Sequence, residues 1–230
     1  MGGQACVFYG AAEFSRDADL LVLGEAANVA YLQDALQELR AEVIAVPGFA
    51  LDFLMRGHAV HFRCHHPEAE DIRIDVMSRL RGVDEFETLW TRRTTVTDAD
   101  GTVYELVSLP DLVQAKKTQR DKDWPMVRRL LEIHYLRHRA DSNPVQQRFW
   151  LRELRTPELL VEACVLWPDL AQELGQERPL LLLACRGQTA ELAEALLAEE
   201  RDERQQDRAY WMPLKAELER LRQMARGSRH

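Results

Sequence analysis

The stretch GGQACVFYGAAEFSRDADLLVL, residues 2–23, decides the fold of this chain. It opens with two glycines, continues with small and apolar residues at helical spacing, and ends in an apolar run that is typical of a β-strand. Asp17 and Asp19 stand two apart in that strand, so their side chains point to the same face. The stretch therefore predicts a glycine turn, a helix, a loop and a strand that presents two carboxylates together.

A third aspartate, Asp75, lies in the alternating run IRIDVMS at residues 72–78. The run HAVHFRC at residues 58–64 also alternates, and the polar residues between the two runs suit a loop, so we expect an antiparallel pair with Asp75 in mid-strand. If a neighbouring strand brings Asp75 beside the first two aspartates, the three carboxylates repel each other unless divalent cations neutralise them. The pattern predicts a magnesium site.

The rest of the first 140 residues interleaves helices and strands. Leucines and valine three or four apart predict an amphipathic helix over 27–41, and EVIAV at 42–46 reads as a strand. The turn Asp98–Gly101 predicts a hairpin between TTVT and TVYELVS, and Ser108 followed by Leu109-Pro110 predicts the start of a helix over 109–120. The pattern is that of an α+β fold with a mixed-sheet core flanked by helices.

Beyond a linker at residues 141–144 the sequence reads as helices only. We therefore predict two domains, an α+β domain over 1–140 and an all-helical C-terminal domain over 141–230. The helices are expected at residues 146–154, 157–167, 189–206 and 214–225.

Composition narrows the function classes. The net charge is −8, from 38 acidic and 30 basic residues, so strong nonspecific attraction to nucleic acid or to an anionic membrane is not expected. The four cysteines are scattered without a CxxC pair, which argues against a disulfide framework. No apolar run approaches the roughly 20 residues that span a bilayer, and no export signal is present, so we place the protein in the cytoplasm.

A cluster of histidines and one cysteine is the alternative metal site. Strand alternation sends His58 and Cys64 to one face and His61 to the other, so we interpret them as ordinary strand residues rather than zinc ligands. His65 and His66 belong to the adjoining loop.

At Gly2-Gly3, Asp17-Ala18-Asp19 and Asp75 the chain resembles the nucleotidyltransferase superfamily with the polymerase-beta-like fold, and particularly its bacterial minimal and abortive-infection-type members. The segment SLPDLVQAKKTQRDKDW, residues 108–124, is similar to a later helix of these proteins that carries a lysine. The resemblance covers residues 2–139.

The resemblance implies a site that uses two Mg²⁺ ions and a nucleoside triphosphate such as ATP. Asp17 and Asp19 would bind the metals, and Asp75 would complete the catalytic metal site and help to activate the acceptor hydroxyl. Which of the neighbouring lysines 116 and 117 points inward stays open. The nucleotide contacts implied are Gly2, Gly3, Ser15, Lys116, Lys117 and Lys122.

The chain departs from the family pattern at two places. Glu13 stands where many relatives have arginine, and Arg16 falls directly before Asp17, where it either replaces that arginine or faces solvent. Relatives also enter the glycine turn from a buried strand, whereas this sequence begins one residue before the turn. We expect the start to be internal to a longer reading frame, or the chain to be a truncated copy with a weakened phosphate loop.

The leading hypothesis is a metal-dependent nucleotidyltransferase that moves a nucleoside monophosphate to an unidentified hydroxyl. The acceptor is left open between a small molecule such as an aminoglycoside, a tRNA end and a protein. By resemblance alone, a toxin–antitoxin role would add an antitoxin or another protein partner. The alternatives are a catalytically inactive nucleotide-binding or protein-interaction module that keeps the fold, and a helical scaffold that binds a partner through residues 141–230.

Overall fold

Contacts between residues divide the chain into two units. The structure, a computed structural model, describes residues 1–227. The first unit comprises residues 1–8 and 12–115 together with the part of the chain that follows Asp207, and the second comprises residues 9–11 and 116–207. The domain division at residue 140 stays a prediction about independently folding parts.

The first unit contains all the strands among the described residues. Its elements are, in chain order, α1 (Gly2–Phe8), β1 (Asp17–Leu21), α2 (Ala26–Glu38), β2 (Glu42–Val43), α3 (Leu51–Met55), β3 (Val60–Arg63), a 3₁₀ turn (Pro67–Ala69), β4 (Arg73–Met77), α4 (Phe86–Thr91), β5 (Thr94–Thr97), β6 (Val103–Leu106) and α5 (Leu109–Ala115).

The central sheet is mixed, as the sequence predicted. Its strand order is β1-β4-β3-β2, with β1 parallel to β4 and the other pairs antiparallel. The antiparallel pairing of β3 with β4 confirms the predicted pair over 58–64 and 72–78. Apolar side chains of one sheet face form a buried core with the helices α2 and α3; they are Val60, Phe62, Ile74, Val76, Val29, Leu36 and Leu54. The aspartates alternate with these residues and belong to the opposite face.

A second, two-stranded sheet confirms the predicted hairpin. β5 pairs with β6 in antiparallel register, from Thr94 opposite Leu106 to Thr97 opposite Val103. In the turn between them, the amide of Asp98 donates to the carbonyl of Thr102 at 2.9 Å. Gly101 has φ +89°, a value that glycine adopts without steric cost.

The second unit is helical. Its elements are α6 (Asp123–His138), a 3₁₀ turn (Arg139–Asp141), α7 (Pro144–Glu153), α8 (Pro157–Leu166), α9 (Pro168–Leu174), α10 (Leu181–Cys185) and the beginning of α11 (Thr189–Gly227). Its core is aromatic and aliphatic: Trp150 and Tyr135 are fully buried and cross edge to face, with ring centroids 5.2 Å apart. The segment after residue 144 is helical throughout the described residues, in agreement with the predicted helical C-terminal region.

The helices and strands differ from those expected in four respects. The helix expected over 109–120 ends at Ala115, because Thr118 turns the chain: its hydroxyl donates to Asp123 and its carbonyl accepts from the indole of Trp124. The helices expected at 189–206 and 214–225 are one continuous helix, α11, which passes through Pro213. The strand expected over 42–46 contains only two residues. The fourth correction is the addition of helices that the sequence patterns missed, α3, α9 and α10.

None of the helices within residues 1–227 is both long and apolar enough to cross a membrane.

Candidate functional site

The parallel pairing of β1 with β4 brings the three predicted aspartates to one face of the sheet. Asp19 lies opposite Asp75, and Asp17 lies opposite Arg73. Neighbouring strands run about 4.8 Å apart and register partners share a face, so the side chains of Asp19 and Asp75 leave adjacent strands on the same face of the sheet. The structure thus places Asp75 in mid-strand on the strand that pairs with the strand of Asp17 and Asp19.

The glycine pair lies against these strands. The amide of Gly3 donates to Oδ2 of Asp19 at 3.1 Å. Gly2 has φ +67°, and a β-carbon added there would lie 1.9 Å from the same oxygen. A β-carbon on Gly3 would lie 2.3 Å from Oγ of Ser15, whose hydroxyl donates to the carbonyl of Asp17 at 3.0 Å. Only glycine fits at either position without displacing a residue of the predicted site.

Two basic side chains that were not predicted to belong to the site, Arg73 and His61, contact Asp75. The guanidinium of Arg73 donates to both carboxylate oxygens of Asp75, from Nε at 2.8 Å and from Nη2 at 2.9 Å. Nδ1 of His61 lies 2.8 Å from Oδ1 of Asp75 and 3.1 Å from Nη2 of Arg73. The signals for both were present in the sequence, because Arg73 stands two residues before Asp75 and His61 faces it across the hairpin.

The charges of this cluster favour the ionised form of Asp75. Burial alone would raise its pKa, but hydrogen bonds and charge attraction from His61 and Arg73 outweigh burial and lower the pKa. The hydrogen bond to Asp75 raises the pKa of Arg73, and the negative charges of Asp17 and Asp19 add to that effect. Arg73 is thus the local counter-charge for all three aspartates.

The donor set fits magnesium, but Asp75 has other partners in this conformation. Carboxylate oxygens are the ligands that Mg²⁺ prefers, and Asp17, Asp19 and Asp75 provide them on adjacent strands. Within residues 1–227 no three His, Cys, Asp or Glu side chains are gathered in the manner of a ready metal site. For Asp75 to join Asp17 and Asp19 as a metal ligand, its carboxylate would have to release the guanidinium of Arg73.

The histidine and cysteine cluster forms no site of this kind. Nε2 of His58 lies 2.8 Å from a carboxylate oxygen of Glu217, and Cys64 is fully buried in the apolar core. His61 is turned to the opposite face, toward Asp75. His58 and Cys64 thus have structural partners, whereas His61, which was expected to be an ordinary strand residue, contacts Asp75 of the candidate site.

The three predicted phosphate-binding lysines belong to the second unit. Lys117 is buried, with Nζ 2.7 Å from Glu153 and 3.6 Å from Glu203, and Nζ of Lys116 lies 3.8 Å from Asp123. Lys122 is exposed and precedes α6. Their contact with a nucleotide stays a prediction.

Arg16 and Glu13 are both exposed, so neither residue adds a buried charge to the site. No protein-family model and no curated protein matches this chain. The functional argument consequently depends on the geometry of β1 and β4.

Proposed function

We propose that this protein is a metal-dependent nucleotidyltransferase that moves a nucleoside monophosphate from a nucleoside triphosphate to a hydroxyl acceptor. The observation that carries the proposal is the parallel register in which Asp19 lies opposite Asp75, with Asp17 on the same face. A chance pair of aspartates on one strand is common, whereas a third carboxylate in register on the adjacent strand concentrates negative charge that a divalent cation relieves.

In the proposed reaction the acceptor oxygen attacks the α-phosphorus, and the bond from that phosphorus to pyrophosphate breaks. Asp17, Asp19 and Asp75 would hold the two Mg²⁺ ions, whose chemistry is to stabilise charge on the attacking and departing oxygens. Asp75 would accept the proton of the acceptor hydroxyl. In this conformation the side chains of Asp19 and Ser15 lie over the two glycines, and the amide of Gly3 donates to Asp19, so a phosphate group at the glycine pair would have to replace that carboxylate.

Arg73 gains a role in this proposal. Its side chain is 38% exposed, so it is free to swing away from Asp75 toward solvent or substrate. A guanidinium that leaves the carboxylate remains beside the site and matches the geometry of a phosphate. We assign to it the neutralisation of triphosphate charge, while Asp17, Asp19 and Asp75 would be the residues that hold the cations.

The same residue supports a second candidate function. Because Arg73 and His61 together engage both oxygens of Asp75, the site resembles one in which a permanent ion pair has replaced the metal. A protein of that kind would bind a nucleotide without turning it over. The acceptor, and an antitoxin or other protein partner, stay predictions under either candidate.

Incubation with each α-labelled triphosphate, Mg²⁺ and cell fractions distinguishes the two candidates. The enzyme proposal expects pyrophosphate release and transfer of label to one class of molecule, both abolished in Asp17→Asn and Asp19→Asn. Asp34→Asn is the matched control, because Asp34 is an exposed aspartate of α2 in the same unit. Saturable nucleotide binding without pyrophosphate release would establish the inactive module, and release that persists in both variants would overturn the assignment of the site.

A further inference from the structure

The second unit contains two cysteines that are distant in sequence and that the fold brings together. Cys164 lies in α8, and Cys185 is the last residue of α10. The two helices pack against each other within the second unit. No step of the proposed reaction uses either cysteine, so the pair is separate from the chemistry assigned to β1 and β4.

The thiol of Cys164 points toward α10. Its Sγ lies 4.0 Å from the carbonyl oxygen of Leu181, the first residue of that helix. Leu181 and Cys185 are four residues apart, and residues at this spacing are neighbours on a helix surface. In agreement with this placement, the thiols of Cys164 and Cys185 form a hydrogen bond with each other. A disulfide then requires the two sulfur atoms to close from hydrogen-bonding contact to about 2.05 Å.

The surroundings of the two thiols differ, and the difference assigns their roles. Cys164 is 2% exposed, whereas Cys185 is exposed to solvent. Burial raises the pKa of Cys164 to about 12; the neighbouring Cys185 adds to this shift, and the charge of Arg178 opposes it. Cys164 therefore stays protonated at neutral pH, and the sulfur that a dissolved oxidant meets first is that of Cys185.

We propose that Cys164 and Cys185 form a redox modification site, in which hydrogen peroxide oxidises the exposed Cys185 and the buried Cys164 converts the product to an intramolecular disulfide. An accessible thiol beside a second thiol that resolves it is the arrangement that redox-sensing cysteines use. The disulfide would join α8 to α10, and reduction by an external thiol would reverse it.

The proposed reaction has two steps. The sulfur of Cys185 attacks one oxygen of the peroxide, the O–O bond breaks, and the other oxygen leaves as water with the thiol proton. Cys185 has then lost two electrons and is a sulfenic acid. The sulfur of Cys164 attacks the sulfur of Cys185, an S–S bond forms, and the S–O bond breaks. The departing hydroxide takes the proton of Cys164, so two thiols and one peroxide give one disulfide and two molecules of water.

The other two cysteines of the chain provide an internal reference. Cys6 and Cys64 are buried and belong to the first unit. Because oxidation follows the exposure of a thiol, peroxide should leave both unchanged while the protein is folded. Cys185 ends a helix, where the backbone carries partial negative charge, so we expect it to react at the rate of an ordinary exposed thiol.

The test is to treat the reduced, folded protein with hydrogen peroxide, and then to unfold it and measure its intact mass and free thiols. We expect a mass loss of about 2 Da per chain, because a disulfide lacks the two thiol hydrogens. The number of free thiols should fall from four to two, and a peptide map should link Cys164 to Cys185. Dithiothreitol should restore all four thiols.

Three variants separate the two roles. Cys164→Ala removes the resolving thiol, so dimedone, which traps sulfenic acids, should label Cys185 in this variant after peroxide treatment. Cys185→Ser changes an exposed residue and should leave Cys164 a free thiol after the same treatment. Cys64→Ala is the matched control, because it removes a buried cysteine of the first unit and should keep the mass loss.

Two results would overturn the proposal. One is conversion of Cys185 to a sulfinic acid while Cys164 remains a free thiol in the unmodified protein. The other is a disulfide of Cys185 between two chains, seen as a dimer on a non-reducing gel. Either result would show that the buried thiol does not reach the exposed one.

Discussion

Replacement of Gly2 by alanine would make the added methyl group overlap sterically with the carboxylate of Asp19. The added β-carbon would lie 1.9 Å from Oδ2 and 2.3 Å from Cγ of Asp19, where an ordinary contact begins near 3.4 Å. The carboxylate would have to retreat by about 1.5 Å, because the other side of the contact is backbone. A predicted metal ligand is thereby moved while its charge is kept.

The size of the effect follows from that displacement. Displacing a group that orients or supplies a metal ligand typically costs about 10- to 100-fold in metal affinity. The φ of +67° adds a backbone strain of about 1–2 kcal/mol for any residue with a β-carbon. We therefore expect Gly2→Ala to weaken Mn²⁺ binding by one to two orders of magnitude and to destabilise the first unit modestly.

Gly101→Ala is the matched control for this prediction. Gly101 also has a positive φ, +89°, but a β-carbon there meets no atom within 4 Å. It should cost a similar backbone strain and leave Mn²⁺ affinity unchanged. Electron paramagnetic resonance of free Mn²⁺ measures the affinity, and urea unfolding measures the stability. Equal Mn²⁺ affinity in Gly2→Ala and the unmodified protein would refute the assignment of Asp19 as a metal ligand.

Three further predictions concern charged and titrating groups. Asp75→Asn should lower the free energy of unfolding by about 1–2 kcal/mol at neutral pH. This loss is smaller than that from breaking a fully buried ion pair, because Arg73 and His61 are partly exposed. The pKa of Asp75 is lowered from 3.8, so the difference in unfolding free energy between the unmodified protein and Asp75→Asn should shrink as pH falls below that value. A difference in urea unfolding that stays constant with pH would show that the ion pair does not stabilise the fold. Arg73→Gln should tighten Mn²⁺ binding about fivefold without nucleotide, because a competitor for Asp75 is removed; calorimetric titration would show weaker binding if Arg73 instead organises the site. Burial, aided by the charges of His138 and Arg137, lowers the pKa of His134 to about 4, so the folded protein should lose stability as pH falls from 6.5 toward 4. His134→Gln, which keeps an acceptor for the indole of Trp150 3.0 Å away, should reduce that loss in thermal unfolding, and an unchanged loss would assign it to other groups.

The alternation of apolar and polar residues predicted the strand pairing that joins segments close together in the sequence. The alternation in residues 58–64 and 72–78 specified two half-buried strands, and the short loop between them left antiparallel pairing as the simple solution. The spacing of Asp17 and Asp19 specified a shared face for the same reason. Each prediction needed only the geometry of a strand and a turn.

Parts of the fold that depend on distant residues were harder to predict. Two separate helices were expected over 189–206 and 214–225, and Pro213, which lies between them, lacks an amide and clashes with the preceding turn of a helix. The helix continues, and beyond that proline its residues belong to the first unit, in which Glu217 contacts His58, 159 residues earlier in the chain. The spacing of residues within the last 40 positions cannot predict a contact with a residue as distant in sequence as His58.

In the candidate site, the sequence did not determine which group would neutralise the charge of Asp75. The sequence shows that Arg73 and Asp75 share a face, but a carboxylate that faces both a guanidinium and two other carboxylates has two possible counter-ions. In this structure the guanidinium occupies that place. Which counter-ion prevails with a nucleotide present depends on relative affinities rather than on sequence spacing.

The most direct measurement is a crystal structure with Mn²⁺ and a non-hydrolysable nucleoside triphosphate analogue, in which anomalous scattering locates the metal. We predict anomalous peaks within about 2.3 Å of carboxylate oxygens of Asp17, Asp19 and Asp75, with Arg73 displaced from Asp75 toward the phosphates. Bound nucleotide with no anomalous peak between β1 and β4, and with Arg73 still on Asp75, would contradict the proposed metal site.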